Sequence, residues 1–154
     1  MKLFVTFLFA LFLHSNSVLS DSHLTGNSGL FVWAMCGPSK GQGYFFKDSI
    51  MNPNGPSWEA DAISNGQITL VESADQFDII FGDAYRASGY REDGAQVILL
   101  QATDKYLRVG AFADSYADIY NFDRENLEVA WSSNKSGPFS GKVAVYVSKC
   151  TFIK

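Results

Sequence analysis

Hydrophobic and polar residues alternate with a period of two along most of the chain beyond its first thirty residues. Lys142–Ser148, KVAVYVS, places Val143, Val145 and Val147 on one face and Lys142, Ala144, Tyr146 and Ser148 on the other. Asn126–Ser132 does the same, with Leu127, Val129 and Trp131 opposite Glu128, Ala130 and Ser132. Both read as half-buried strands. Further strands are expected at Leu30–Met35, Gln67–Val71, Phe77–Phe81, Gln96–Ala102 and Lys105–Phe112, each partly β-branched or aromatic. Turn residues separate them, at Pro38, Pro53-Asn54-Gly55-Pro56, Asn65-Gly66, Gly82, Gly94 and Gly137-Pro138. The one helical candidate, Asp114–Asp123, is weakened by its aromatic and β-branched content. The pattern predicts an all-β, antiparallel fold, a sandwich or barrel, in one domain spanning residues 30–154.

The start of the chain has a different character. Met1–Ser20 carries one Lys, an apolar run from Leu3 to Leu13 and then small and polar residues, which reads as a secretory signal cleaved before Asp21. Its apolar run is too short to cross a bilayer, which needs roughly 20 residues, so no membrane insertion is expected. Residues 21–29 are small and polar and read as a flexible mature N-terminus. The expected location is therefore secreted and extracellular, and there the chain's two cysteines, Cys36 and Cys150, favour a disulfide. An intramolecular bridge, an intermolecular bond through Cys150 and two buried thiols are the alternatives.

Composition narrows the chemistry. Of the chain's 12 basic residues, removal of Lys2 with the leader leaves eleven against 16 acidic groups, a net charge of −5 with histidine neutral. No basic stripe is present, so nucleic acid is not an expected partner. His14 leaves with the leader and His23 lies on the N-terminal segment, so the folded part carries no imidazole for Ser-His-Asp or Cys-His catalysis or for zinc. No phosphate loop of Walker or dinucleotide type is present, and no cofactor is expected. An enzyme would have to use paired carboxylates, with Asp114, Asp118 and Asp123 the first to consider.

Gly82–Gly94, GDAYRASGYREDG, points instead to binding. Tyr85-Arg86 and Tyr90-Arg91 form a doublet in a Gly- and Ser-rich loop, and Tyr and Arg carry much of the contact energy at protein interfaces. Asn134-Lys135-Ser136 is an N-glycosylation sequon beside an expected turn.

The order of these motifs resembles the CUB domain, a secreted jelly-roll β-sandwich. Ser49–Pro56 stands where that family has a Pro-containing turn, and Trp58 follows, with Ala60, Gly66, Ile68 and Leu70 at the family's offsets. Asp75–Gly82 is similar to its acidic-apolar strand, and Leu127–Asn134 with Gly141–Tyr146 to its closing pair. Ser57 stands where many members have Cys, so the usual disulfide pairing is absent, as in divergent CUB-like secreted proteins of nematodes. The resemblance implies an antiparallel jelly-roll-type sandwich and extracellular recognition, in innate defence or stress responses. It also implies calcium ligands at Glu72 and Asp75, but Asn134 replaces the third carboxylate, and no metal site is assigned.

The expected function is thus a secreted module binding an extracellular protein or glycan. A lectin-like sandwich using exposed Trp33 and Trp58, or a carboxylate-pair hydrolase, are the alternatives.

Overall fold

The computed structural model describes residues 29–83, 85–137 and 141–153, and among these every regular element is a strand. They are β1 (Phe31–Phe45), β2 (Ser57–Ile63), β3 (Gln67–Ser73), β4 (Gln76–Gly82), β5 (Ala87–Gly89), β6 (Gln96–Ala102), β7 (Tyr106–Ala113), β8 (Tyr116–Asp123), β9 (Glu128–Lys135) and β10 (Lys142–Phe152). The expected leader and most of the N-terminal segment lie outside the described residues.

All ten strands belong to one antiparallel sheet, ordered β5-β4-β3-β1-β10-β9-β8-β7-β6, with β2 also paired to β1. The first half of β1 pairs with β3 (Cys36↔Ile68) and its second half with β2 (Ser39↔Ile63). β2 and β3 are therefore two stretches of one returning strand. They part where the β1–β10 register shifts between Cys36 and Ser39, and Pro38, which has no N–H to give the ladder, sits in that irregularity. The β3–β4 hairpin turns on Ala74 and Asp75, both at positive φ, the geometry that matches the right-handed twist of its strands.

Inward-facing residues of β1, β3, β4 and β6–β10 share one buried cluster that includes Cys36, Leu70, Ile79, Val97, Val109, Phe122 and Val129. A flat sheet cannot bring these positions together, so the sheet curls around them into a half-barrel. Its free edges, β4–β5 and β6, approach each other. Arg91 spans that seam, donating from Nε to the Phe77 carbonyl on β4 (2.9 Å) and from Nη2 to the Val97 carbonyl on β6 (2.5 Å). Across the middle of the concave face, register partners Tyr146, Trp131 and Tyr120 stack with centroids 4.9 and 5.6 Å apart. Gly41 lies next in that row on β1, where a Cβ would come within 2.2 Å of the Val145 carbonyl and 2.6 Å of the Tyr146 ring.

Two expectations change. Asp114–Asp123, the helical candidate, contains β8, with Asp118, Tyr120 and Phe122 buried on its inner face. The expected all-β antiparallel architecture is present as one curled sheet, in which spatial neighbours are sequence neighbours except that β10 returns to β1 and β3 pairs with β1 beyond β2; the finer two-sheet jelly roll is not seen in this strand order. The reason is physical: alternation reports that one face of each strand is buried, but not whether the buried faces come from two sheets or one curled sheet.

Cys36 and Cys150 are register partners on β1 and β10 and form a disulfide across 114 residues of chain. In the chain-entropy account, closing a loop of that length restricts the unfolded chain by about 4–5 kcal/mol. The Cys36→Ala/Cys150→Ala protein should lose about 3–5 kcal/mol of unfolding free energy in guanidinium titrations followed by tryptophan fluorescence; an unchanged midpoint would contradict this.

Candidate functional site

The Tyr85–Arg91 segment divides in two. Asp83 accepts hydrogen bonds from the backbone N–H groups of Tyr85 (2.8 Å) and Arg86 (3.0 Å), and the Arg86 guanidinium pairs with Asp93 and donates to Ser88. These contacts fix the loop and leave Tyr85 95% exposed. Tyr90 and Arg91 are turned to internal tasks. The Tyr90 hydroxyl donates to Asp118 (2.7 Å) and so accepts from Tyr120 (2.6 Å), while Arg91 clamps the seam. Burial, with the neighbouring Tyr120 and Asp118, pushes the Tyr90 phenol far above its ordinary range. Tyr85, Arg86 and Arg91 are exposed, but only Tyr85 and Arg86 are not engaged in holding the barrel together.

A second polar cluster joins β2 to β10. Lys142 Nζ donates to Asp61 Oδ2 (2.6 Å), and the Tyr146 hydroxyl donates to the same oxygen (2.5 Å). Partial burial works to raise the Asp61 carboxyl, but the Lys142 and Tyr146 hydrogen bonds and the charges of Lys142 and Lys135 outweigh it and hold Asp61 below the ordinary carboxylate value. Burial likewise opposes the Lys142 charge, and Asp61 and Tyr146 more than compensate, raising it. Beside this cluster, Phe45, Phe46, Asp48, Met51, Glu59 and Lys142 line a cavity of about 300 Å³. Its two carboxylates are engaged locally: Asp48 accepts from the Ile50 and Met51 amides, and Glu59 from the Ser57 hydroxyl.

The acids singled out on β8 are spread apart. Asp118 is buried, Asp114 precedes the strand, and Asp123 accepts the amides of Glu125 and Asn126 in the turn after it. Eight residues of strand at about 3.3 Å each separate the outer two far beyond the 5–9 Å of a hydrolytic pair. Glu72 accepts from Trp33 Nε1 (2.9 Å), and Asp75 sits in the β3–β4 turn; among the described residues no three His, Cys, Asp or Glu side chains are placed to hold a metal. Asn134 of the sequon is exposed near the end of β9.

The two flagged tryptophans differ. Trp33 packs edge-on to Phe31 and against Phe77, half-buried. Trp58 is 71% exposed on the convex face, its ring 5.3 Å from that of Tyr44. Register extends this contact into a grid of three rows: Trp58–Tyr44–Val143, Ala60–Gln42–Val145 and Ala62–Lys40–Val147, across β2, β1 and β10. All are exposed except Tyr44, which is half-buried. Sequence reasoning saw the valine face of β10 but not its direction. The side chains opposite it, Ala144, Tyr146, Ser148 and Cys150, are the buried ones.

The Asp61–Lys142 pair predicts a pH signature. Because Asp61 is lowered, its contribution is complete above the ordinary Asp value and is lost as pH falls through the lowered one; because Lys142 is raised, its contribution is complete below the ordinary Lys value and is lost as pH rises through the raised one. Lys142→Met should cost about 1–3 kcal/mol at pH 7, and that difference should shrink as the pH is taken below the ordinary Asp value, as read by denaturant unfolding across that range. A difference independent of pH would show that lost packing, not charge, is responsible.

Comparison of the chain with protein-family models, with curated proteins and with solved structures returns no match.

Proposed function

We propose that this protein is a secreted binding module that holds a partner protein against the convex face of β2, β1 and β10. The observation that carries the reading is the exposed grid anchored by Trp58, Tyr44, Val143, Val145 and Val147. Soluble monomers seldom leave a broad contiguous apolar patch in water, because covering it is favourable by roughly 25 cal/mol per Å². Two aromatic side chains, the residue type that anchors interfaces, stand beside small aliphatic ones, with Gln42 as the central polar group and one charge, Lys40, in the last row. Two of the three strands, β1 and β10, are central in the sheet with a disulfide beneath them, which makes the platform rigid, so little ordering entropy opposes association.

Secretion rests on the leader Met1–Ser20 and accords with the disulfide, which persists in oxidising compartments. The resemblance to CUB-like secreted proteins supports the same role in extracellular recognition, although the single curled sheet departs from that family's jelly roll. A glycan is the second reading. It is favoured by the Trp58 ring lying open beside Tyr44, where a sugar could stack, and weakened by the valine rows, which offer no hydrogen bonds to hydroxyl groups.

The test compares three forms of the mature chain as immobilised bait in extracellular fluid: wild type, Trp58→Ala/Val145→Lys and Tyr85→Ala/Arg86→Ala. The grid variant should melt near the wild-type temperature, since these side chains face water, and should bind the captured protein at least about 30-fold more weakly. Equal binding by wild type and grid variant would overturn the proposal, and loss confined to the loop variant would move the site to Tyr85. Binding to a glycan array that Trp58→Ala abolishes would replace the protein partner with a sugar.

A further inference from the structure

Inside the half-barrel, four buried side-chain oxygens find no hydrogen-bond partner among the described residues; one is Ser39 Oγ on β1, and the other three lie on the adjacent strands β8 and β9. These three are Asp118 Oδ1, Ser133 Oγ and the Tyr116 hydroxyl. Asp118 and Ser133 are 1% and 2% exposed and are register partners on β8 and β9, so their side chains leave the same face roughly 5 Å apart. Tyr116 is two residues before Asp118 on that face, and its ring lies 5.5 Å from that of Tyr90, whose hydroxyl occupies the other Asp118 oxygen. The ion pairs among the described residues all lie elsewhere, at Arg86–Asp93, Lys105–Glu125, Lys142–Asp61 and Lys149–Glu128.

A buried carboxylate with no cation beside it, and a buried hydroxyl with no partner, are each costly. Their juxtaposition removes the cost if one small positive species sits between them. The chemistry of the donor set limits that species. One carboxylate and two neutral hydroxyls fall short of the oxygen shell that calcium gathers, so a single charge is matched better than a double one. Tyr116 also lines a cavity of about 420 Å³ with Asp114, Lys135, Ser136 and Lys142.

We propose that Asp118, Ser133 and Tyr116 form an internal site for a small monovalent cation, an alkali-metal ion or ammonium. Its effect is on the stability of the β8–β9 part of the barrel, and it is independent of the convex binding face.

The test uses the mature protein exchanged into tetramethylammonium chloride, whose cation is too large to enter, and then titrated with NaCl, KCl or NH4Cl at constant ionic strength. The melting midpoint should rise by about 3–6 °C and saturate with at least one of the three, which also identifies the occupant. Ser133→Ala and Tyr116→Phe should fold and raise the half-saturating concentration by about 10-fold, the equivalent of one lost ligand. Asp118→Asn should not respond to any of the salts. Identical midpoints in all four salts would overturn the proposal and leave water alone as the occupant. So would an unchanged half-saturating concentration in both Ser133→Ala and Tyr116→Phe, whatever the folding of Asp118→Asn.

Discussion

The pairing of β1 with β10 is the contact on which the rest of this structure depends. It runs from Ala34↔Phe152 to Phe45↔Lys142 and brings strands from the two ends of the folded chain into the middle of the sheet. Without it the chain would be two separate sheets, β1–β5 and β6–β10, each with an apolar face and nothing to cover it. With it, the concave faces of both meet in one core. The Cys36–Cys150 disulfide sits within this ladder, so the covalent constraint and the hydrogen-bonded one act at the same place. The opposite side of the barrel is held more lightly, by the close approach of β4 to β6 and the two carbonyl contacts of Arg91.

The interior combines packing with polar chemistry in the same side chains. Tyr146 stacks on Trp131 and donates to Asp61; Tyr120 stacks on the other side of Trp131 and shares a hydroxyl contact with Tyr90, which in turn reaches Asp118. Each buried tyrosine thus contributes ring area and also satisfies an acid or a neighbouring hydroxyl. Carboxylates tied this way are held in place, which is why Asp61 and Asp118 are parts of the scaffold as much as chemical groups. The convex face is built differently, from short aliphatic side chains and one open tryptophan.

Much of the fold was legible in the sequence because strand alternation survives wherever one face is buried. β3, β4, β6, β7, β9 and β10 fall where period-two runs stand between turn residues. β1 was legible only as far as Met35, since Gly37-Pro38 reads as a terminator although the strand passes through it as a bulge. β2 was hidden by its Glu and Ala content, β5 by its three-residue length, and β8 by an acid, Asp118, standing at an inward position. The limits at the candidate site have a similar cause. Tyr85, Arg86, Tyr90 and Arg91 belong to one loop by composition, but the Asp83 turn before β5 sends the first pair outward and the turn after β5 directs the second pair to Asp118 and the seam. Likewise, no periodicity distinguishes Val143, Val145 and Val147 from Ala144 and Tyr146 as the face that packs. The ladder of large rings on β8 and β9 decides it.

Residue-resolved hydrogen exchange under native conditions tests the central role of the β1–β10 ladder most directly. Amides paired between these two strands should exchange only through global unfolding, at the slowest rates in the molecule, while those of β5 and β6 beside the seam exchange faster through local opening. Early exchange along β1 and β10, with β6–β9 still protected, would contradict the account.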